Sequence, residues 1–294
     1  MNTYIILAFV AMVLWGLSDF LMQFFVRKIG RIATLAWVGV FGTVVLFPFV
    51  KNDLGVILNI NNFYYLFFLA LLHILSALLL FSAFKYGKLS VVETVMVVEM
   101  PLTLFLGILF FQEKLTLQQS LLAGLVFCGI LLATLKAPQS KFVTFFTGKT
   151  WIEKGVFFSI GAVLVISLIN FFTADNARIT SPLLAIWFPW TILAFSSLSF
   201  ILLKKDHGRS FLNLKKNFPI VLLMCIANCT AWVSFSYAST KMNFAVLSAI
   251  ALAYPIIAIF LGIFVNKEKF SRLQMFGAFT ALLGSIIIGL ISLN

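Results

Sequence analysis

The chain has 294 residues, 62% of them hydrophobic and 10% charged, and a mean hydropathy of +1.11. Soluble domains are nearer half apolar and a quarter charged, so a water-soluble fold is excluded and about ten membrane helices of roughly 20 residues are implied. The net charge of +12 has no zinc finger, RNA-binding signature or basic stripe beside it; the cations sit in loops, as bilayer insertion requires.

Spans are predicted near 4–26, 32–50, 64–84, 89–111, 117–136, 152–173, 182–203, 217–238, 243–265 and 271–291. The breaks between them are polar, as at Arg27-Lys28-Ile29-Gly30-Arg31, Glu113-Lys114 and Lys204 to Lys216. Only helices or closed barrels satisfy their backbone in lipid, and runs this long and continuously apolar are helical. The fold class is therefore an all-α polytopic membrane protein. The first residues, Met1-Asn2-Thr3, lack a basic n-region, so the first segment is expected to be a span and not a cleaved signal.

Loops 1–2, 3–4, 5–6, 7–8 and 9–10 carry 17 of the 21 Lys and Arg, and the other four loops carry one each. By the positive-inside rule the first set faces the cytoplasm and both termini face out. The expected location is a bacterial-type cytoplasmic (inner) membrane.

The chain repeats itself. Phe81-Ser82-Ala83 through Glu99-Met100-Pro101 aligns with Phe235-Ser236-Tyr237 through Ala253-Tyr254-Pro255. Each continues to a Glu-Lys-x-[Thr/Ser] loop (Glu113 to Thr116, Glu268 to Ser271), with Gln119 and Gln274 six residues after each Glu. Two five-helix units follow, 1–138 and 150–294. Five is odd, so the second enters the membrane upside down, an architecture typical of alternating-access carriers.

Through Trp15-Gly16 in the first span, the Pro101 and Pro255 helices and the two Glu-Lys-x-[Thr/Ser] loops, the chain resembles the drug/metabolite transporter superfamily, specifically proteins with two EamA-like domains. The resemblance spans nearly the whole chain. It implies ten helices around a central cavity, lined mainly by spans 1, 3, 4, 6, 8 and 9, and transport of small solutes. One departure is Leu122 in the first repeat, where the second has Gly277.

Three acids lie well within predicted spans: Asp19, Glu93 and Glu99. A carboxylate at the bilayer centre costs about 2.5–3.5 kcal/mol on insertion scales, so such groups face a cavity or a partner. Asp19 has Asn170 as its counterpart in the second repeat. Glu93, one turn into its span, is expected to reach the interface, with a coupling role as the rival reading. Glu99 precedes Pro101, which has no N–H to donate to the Val97 carbonyl and is expected to kink the helix. Six residues separate the two glutamates, which places them about 120° apart on a continuous helix.

His73 reads first as a packing histidine, and Asn228 equally as a cross-helix bond or a substrate contact. Trp15, Trp232 and Tyr254, near mid-span, are candidates for cavity walls, whereas Trp187 and Trp190 read as interfacial belt residues. Lys85, Lys88 and Lys241 all lie near helix ends. Carboxylates and aromatic faces suit a cationic or zwitterionic amine. Substrate contacts are thus expected from Glu99, Asp19, Trp15, Asn228, Trp232, Tyr254 and His73, and coupling from Glu99, Asp19 and Glu93.

Gly277, Ala281, Ser285 and Gly289 form a small-residue ridge for packing inside the bundle or against a second copy of the chain. Cys128, Cys225 and Cys229 lack metal spacing and read as packing residues; no metal or cofactor is expected. No His-Glu-x-x-His, nucleophile elbow, dinucleotide motif or P-loop is present, which argues against an enzyme or a self-contained ATP pump. The leading expectation is a secondary transporter exporting an amino acid or related amine. Uptake or exchange of a nucleotide-linked or phosphorylated metabolite and multidrug efflux are the alternatives.

Overall fold

Helix α1 (Asn2–Ile29) meets α2 (Arg31–Val50) across a single residue, Gly30. That residue sits at φ 89°, a left-handed conformation that glycine adopts without a Cβ penalty. A 3-10 turn at Leu54–Leu58 leads to α3 (Ile60–Tyr86). There follow α4 (Leu89–Met96), α5 (Glu99–Phe110), α6 (Leu117–Thr134), α7 (Lys154–Ile179), α8 (Leu184–Leu203) and α9 (Phe218–Ser239). The chain ends in α10 (Phe244–Ala251), α11 (Pro255–Asn266) and α12 (Arg272–Ile291). The structure, a computed structural model, describes residues 2–87, 89–134, 154–203, 217–266 and 271–292. Among these, nine segments are long and apolar enough to cross a membrane, and α6 adds a shorter tenth.

The fourth and ninth spans are broken. Helix α4 stops at Met96 and α5 restarts at Glu99; α10 stops at Ala251 and α11 restarts at Pro255. The prolines open new helices here instead of kinking continuous ones. Pro255 is the first residue of α11 and Pro101 lies in the first turn of α5, where a backbone N–H has no intrahelical partner to lose. A helical-wheel angle between Glu93 and Glu99 therefore has no meaning across the break.

The halves are interlocked and antiparallel. Gln119 at the start of α6 donates to Ser292 Oγ just past α12, 3.3 Å away. Gln274 at the start of α12 donates to the Ala133 carbonyl near the end of α6, also at 3.3 Å. Repeat-equivalent helices thus run in opposite directions, as inverted five-helix repeats require. The remaining spans follow the same two-fold pattern: α1 packs on α9 as α3 packs on α7, and α2 packs on α8.

Part of the doubled loop motif is explained by this pairing. Thr116 Oγ1 accepts from Gln119 N while Gln119 Oε1 accepts from Thr116 N, and Ser271 and Gln274 repeat the arrangement. Both are capping boxes, each supplying partners for N–H groups that a helix start leaves open. Glu113 is outside the box, and its counterpart Glu268 lies outside the described residues.

The ridge of Gly277, Ala281, Ser285 and Gly289 is buried within the chain. Gly277 and Ala281 face Gly129 on α6, and Gly289 faces Ile5 and Phe9 on α1. A second copy of the chain would have to use another surface.

Candidate functional site

The breaks bring Glu99 and Tyr254 together in the interior of the bundle. Tyr254 OH donates to Glu99 Oε2 at 2.9 Å, and Asn170 Nδ2 donates to Glu99 Oε1 at 2.7 Å. Glu99 is 2% exposed, so its carboxyl is held by one group from each of α7 and the α10–α11 turn. Ser167, a turn before Asn170, donates to the Glu99 backbone carbonyl at 3.4 Å.

Glu99, Asn170 and Tyr254 line a central cavity of about 100 Å³. Asp19 and Trp15 from α1, His73 from α3, and Asn228 and Trp232 from α9 face the same space. The structure thus gathers seven of the eight candidates, Glu99, Asp19, Trp15, Asn228, Trp232, Tyr254 and His73, around one cavity. Trp15 anchors the aromatic wall, edge-on to Trp232 at 5.0 Å and to Tyr254 at 6.0 Å between ring centroids. Ser18 donates to Asn228 Oδ1 at 3.4 Å, and His73 Nδ1 donates to the Leu69 carbonyl at 2.9 Å.

The eighth candidate, Glu93, is placed elsewhere. It does not reach the interface: it is 0% exposed on α4, off the cavity lining, and neither carboxyl oxygen has a hydrogen-bond partner among the described residues. The expectation of a snorkelling side chain assumed one continuous span; the short α4 instead lies packed against α6, α7 and α11.

Three further residues escaped the sequence reading. Trp190 is no belt residue; it is 2% exposed and forms a cavity wall, its ring seated against α2 at Gly42, where a Cβ would come within 1.9 Å of Cε3. Asn170 was visible as the counterpart of Asp19, but its bond to Glu99 was not. Asp175 lies just past the sixth predicted span, which ends at 173, but α7 runs on to Ile179, and Tyr65 OH donates to Asp175 Oδ2 at 2.5 Å.

The cavity lies on one side of the midplane. Met22 near the end of α1, Leu35 near the start of α2 and Phe81 near the end of α3 line it, and all three helix ends reach the face that carries the basic loops. Toward the opposite face the space is filled by rings. Trp15 contacts Phe235 at 5.1 Å, Phe235 contacts Phe244 at 6.1 Å, Phe244 contacts Phe111 at 5.4 Å and Phe111 contacts Phe171 at 4.9 Å.

A cavity at the junction of two inverted repeats is where carriers of this architecture hold their solute. The family model described as EamA-like transporter family matches residues 2–135 and 153–290. The chain belongs to the EamA-like transporter family. Its two matched stretches coincide with the two interlocked halves. This EamA-like transporter is also similar in fold to a solved structure titled only "Crystal structure of protein", with a TM-score of 0.75, 14% identity, and coverage of 99% of this chain and 98% of that one. No curated protein matches it in sequence.

Proposed function

We propose that this transporter exports a small cationic or zwitterionic amine, such as an amino acid or related compound, by alternating access. The observation that carries the reading is the charge of the cavity. Asp19 and Glu99 line it and, among the described residues, no Lys or Arg does. An ammonium group would lie between the two carboxyls with Trp15, Trp232 and Tyr254 offering ring faces, an arrangement worth roughly 2 kcal/mol or more per desolvated cation–π contact. Asn228 and His73 would bond the polar remainder of the solute. A phosphorylated or nucleotide-linked solute would find no Lys or Arg counter-ion among the described residues that line it.

Glu99 and Asp19 are also the coupling groups in this reading. A carboxyl can hold a proton or an ammonium ion but not both, so proton and amine exchange at one place. Glu93, buried and without a hydrogen-bond partner among the described residues, is proposed as a third participant in that exchange.

The test is a thermal-shift screen of the purified protein against amines, amino acids and phosphorylated metabolites, followed by counterflow in liposomes with the best binder. Amines are expected to raise Tm and to drive counterflow. Stabilisation by phosphorylated anions alone would overturn the reading.

Export requires loading from the cytoplasm, and the cavity lies toward the face with 17 of the 21 basic residues. The proposed orientation therefore puts both termini outside, in a bacterial-type cytoplasmic membrane. A reporter active only in the cytoplasm is expected to work when inserted in the Lys204–Lys216 loop and to fail at the C-terminus. The opposite pattern would reverse the orientation.

A further inference from the structure

Glu113 remains unexplained by helix capping and lies far from the cavity. It sits in the loop after α5, on the face opposite the basic loops, and its two oxygens reach different elements. Oε1 pairs with Arg178 Nη2 at 3.1 Å, and Oε2 accepts from the Ala245 backbone N–H at 3.0 Å in the first turn of α10. Arg178, in the last turn of α7, also donates to the Ser239 carbonyl at the end of α9, at 2.8 Å, and to the Met242 carbonyl in the turn that follows it, at 3.3 Å. Its guanidinium lies 4.0 Å from the centroid of Phe111, on top of the ring-filled half of the bundle.

From this geometry we infer that Glu113 and Arg178 form the latch that holds shut the face opposite the cavity, and that its opening accompanies release on that side. The inference rests on the alternating-access reading and adds the residues that execute it. One ion pair ties together the ends of α5, α7, α9 and α10. Two of these are short helices that connect latch to cavity directly. Helix α5, 12 residues long, begins at Glu99 and ends beside Phe111 and Glu113. Helix α10, 8 residues long, begins beside Ala245 and ends just before Tyr254.

The two helices are therefore bridged at both ends, by Tyr254 to Glu99 at the cavity and by Ala245 to Glu113 at the latch. A solute that takes Glu99 from Tyr254 removes one bridge, and the short rigid helices transmit the loss to the other. The repeat places an arginine at the corresponding end of α1: Arg27 donates to the Phe84 and Gly87 carbonyls at the end of α3, at 3.1 and 2.5 Å. On that face, among the described residues, the arginine binds carbonyls without a paired acid. That is the face the cavity approaches.

The experiment needs no solute, so its failure and that of the amine reading are distinguishable. In a background with Cys128, Cys225 and Cys229 changed to alanine, one cysteine is placed at Phe235 and, separately, one at Leu80. Membrane-impermeant maleimide is applied to sealed proteoliposomes from each side. With Glu113 and Arg178 intact, Phe235→Cys is expected to react slowly from the latch side and Leu80→Cys to react from the basic side. Glu113→Gln, which keeps an acceptor for Ala245 but loses the charge, is expected to raise the Phe235→Cys rate at least tenfold and lower the Leu80→Cys rate. Arg178→Gln is measured in parallel, with Tm recorded for each protein, so that a folding defect in one variant leaves the other to decide. Unchanged rates from both sides in a variant of unchanged Tm would overturn the latch.

Discussion

Glu99→Gln is expected to leave the protein folded and to abolish proton-coupled transport. The glutamine has the same shape, and its carbonyl oxygen can still accept from Asn170 across the 2.7 Å contact. Its amide can then donate to Tyr254, whose hydroxyl turns to accept, so the 2.9 Å contact survives with its polarity reversed. What disappears is the negative charge. Hydrogen bonds to charged groups contribute about 1.5–3 kcal/mol, and each 1.4 kcal/mol is a factor of ten, so binding of an ammonium solute should weaken by roughly ten- to a hundred-fold. An amide also cannot exchange a proton, so flux should no longer respond to a pH gradient. Parent and variant are compared in liposomes with and without the gradient. Parent-like flux with parent-like pH dependence in the variant would remove Glu99 from the mechanism and leave Asp19 as the next candidate.

Much of this architecture is legible in sequence, because lipid leaves few options. Apolar runs of span length must be helices, and an odd number of them per repeat forces inversion. The cavity is partly legible for the same reason: a buried acid at mid-span is costly enough that Asp19 and Glu99 had to face something polar. What they face was not readable. Asn170 meets Glu99 across 71 residues of chain, and nothing in one sequence marks such a pairing. The tryptophan at 190 looked interfacial from its place near the start of a span; its burial depends on Gly42 in another helix. Pro101 and Pro255 marked the right regions, but as the openings of new helices they signal breaks lying just before them. Those breaks moved Glu93 from a supposed interface into the packed interior, and they made Glu99 the first residue of a helix. The repeated loop motif mixed two tasks. Its Thr or Ser and its Gln cap helices, whereas Glu113 reaches Arg178, a contact visible only once the ends of α5 and α7 are brought together.

Gly277→Val should cost more stability than any cavity substitution. Between helices in lipid there is little hydrophobic drive, so association depends on close packing and interhelical hydrogen bonds. At Gly277 the approach of α12 to α6 is backbone against backbone: a Cβ there would lie 2.6 Å from both the Ala133 nitrogen and the Gly129 carbonyl oxygen. A Cβ on Gly129 would likewise lie 2.7 Å from Ala281 N. Neither neighbour is a flexible side-chain tip that can swing aside, so the helices must separate along their length. Separation also pulls Gln274 from the Ala133 carbonyl and Gln119 from Ser292. Overpacking alone typically costs 1–3 kcal/mol, and the lost bonds at about 1 kcal/mol each bring the expected penalty to roughly 3–5 kcal/mol. A Tm lowered by many degrees and a reduced folded yield are expected, whereas Phe279→Leu, on the outward face of α12 at 62% exposure, should leave both nearly unchanged. Oligomeric mass, read by light scattering, should not respond selectively, since the ridge is covered within one chain. A Gly277→Val protein with parent-like Tm but smaller mass would show instead that this ridge faces a second copy.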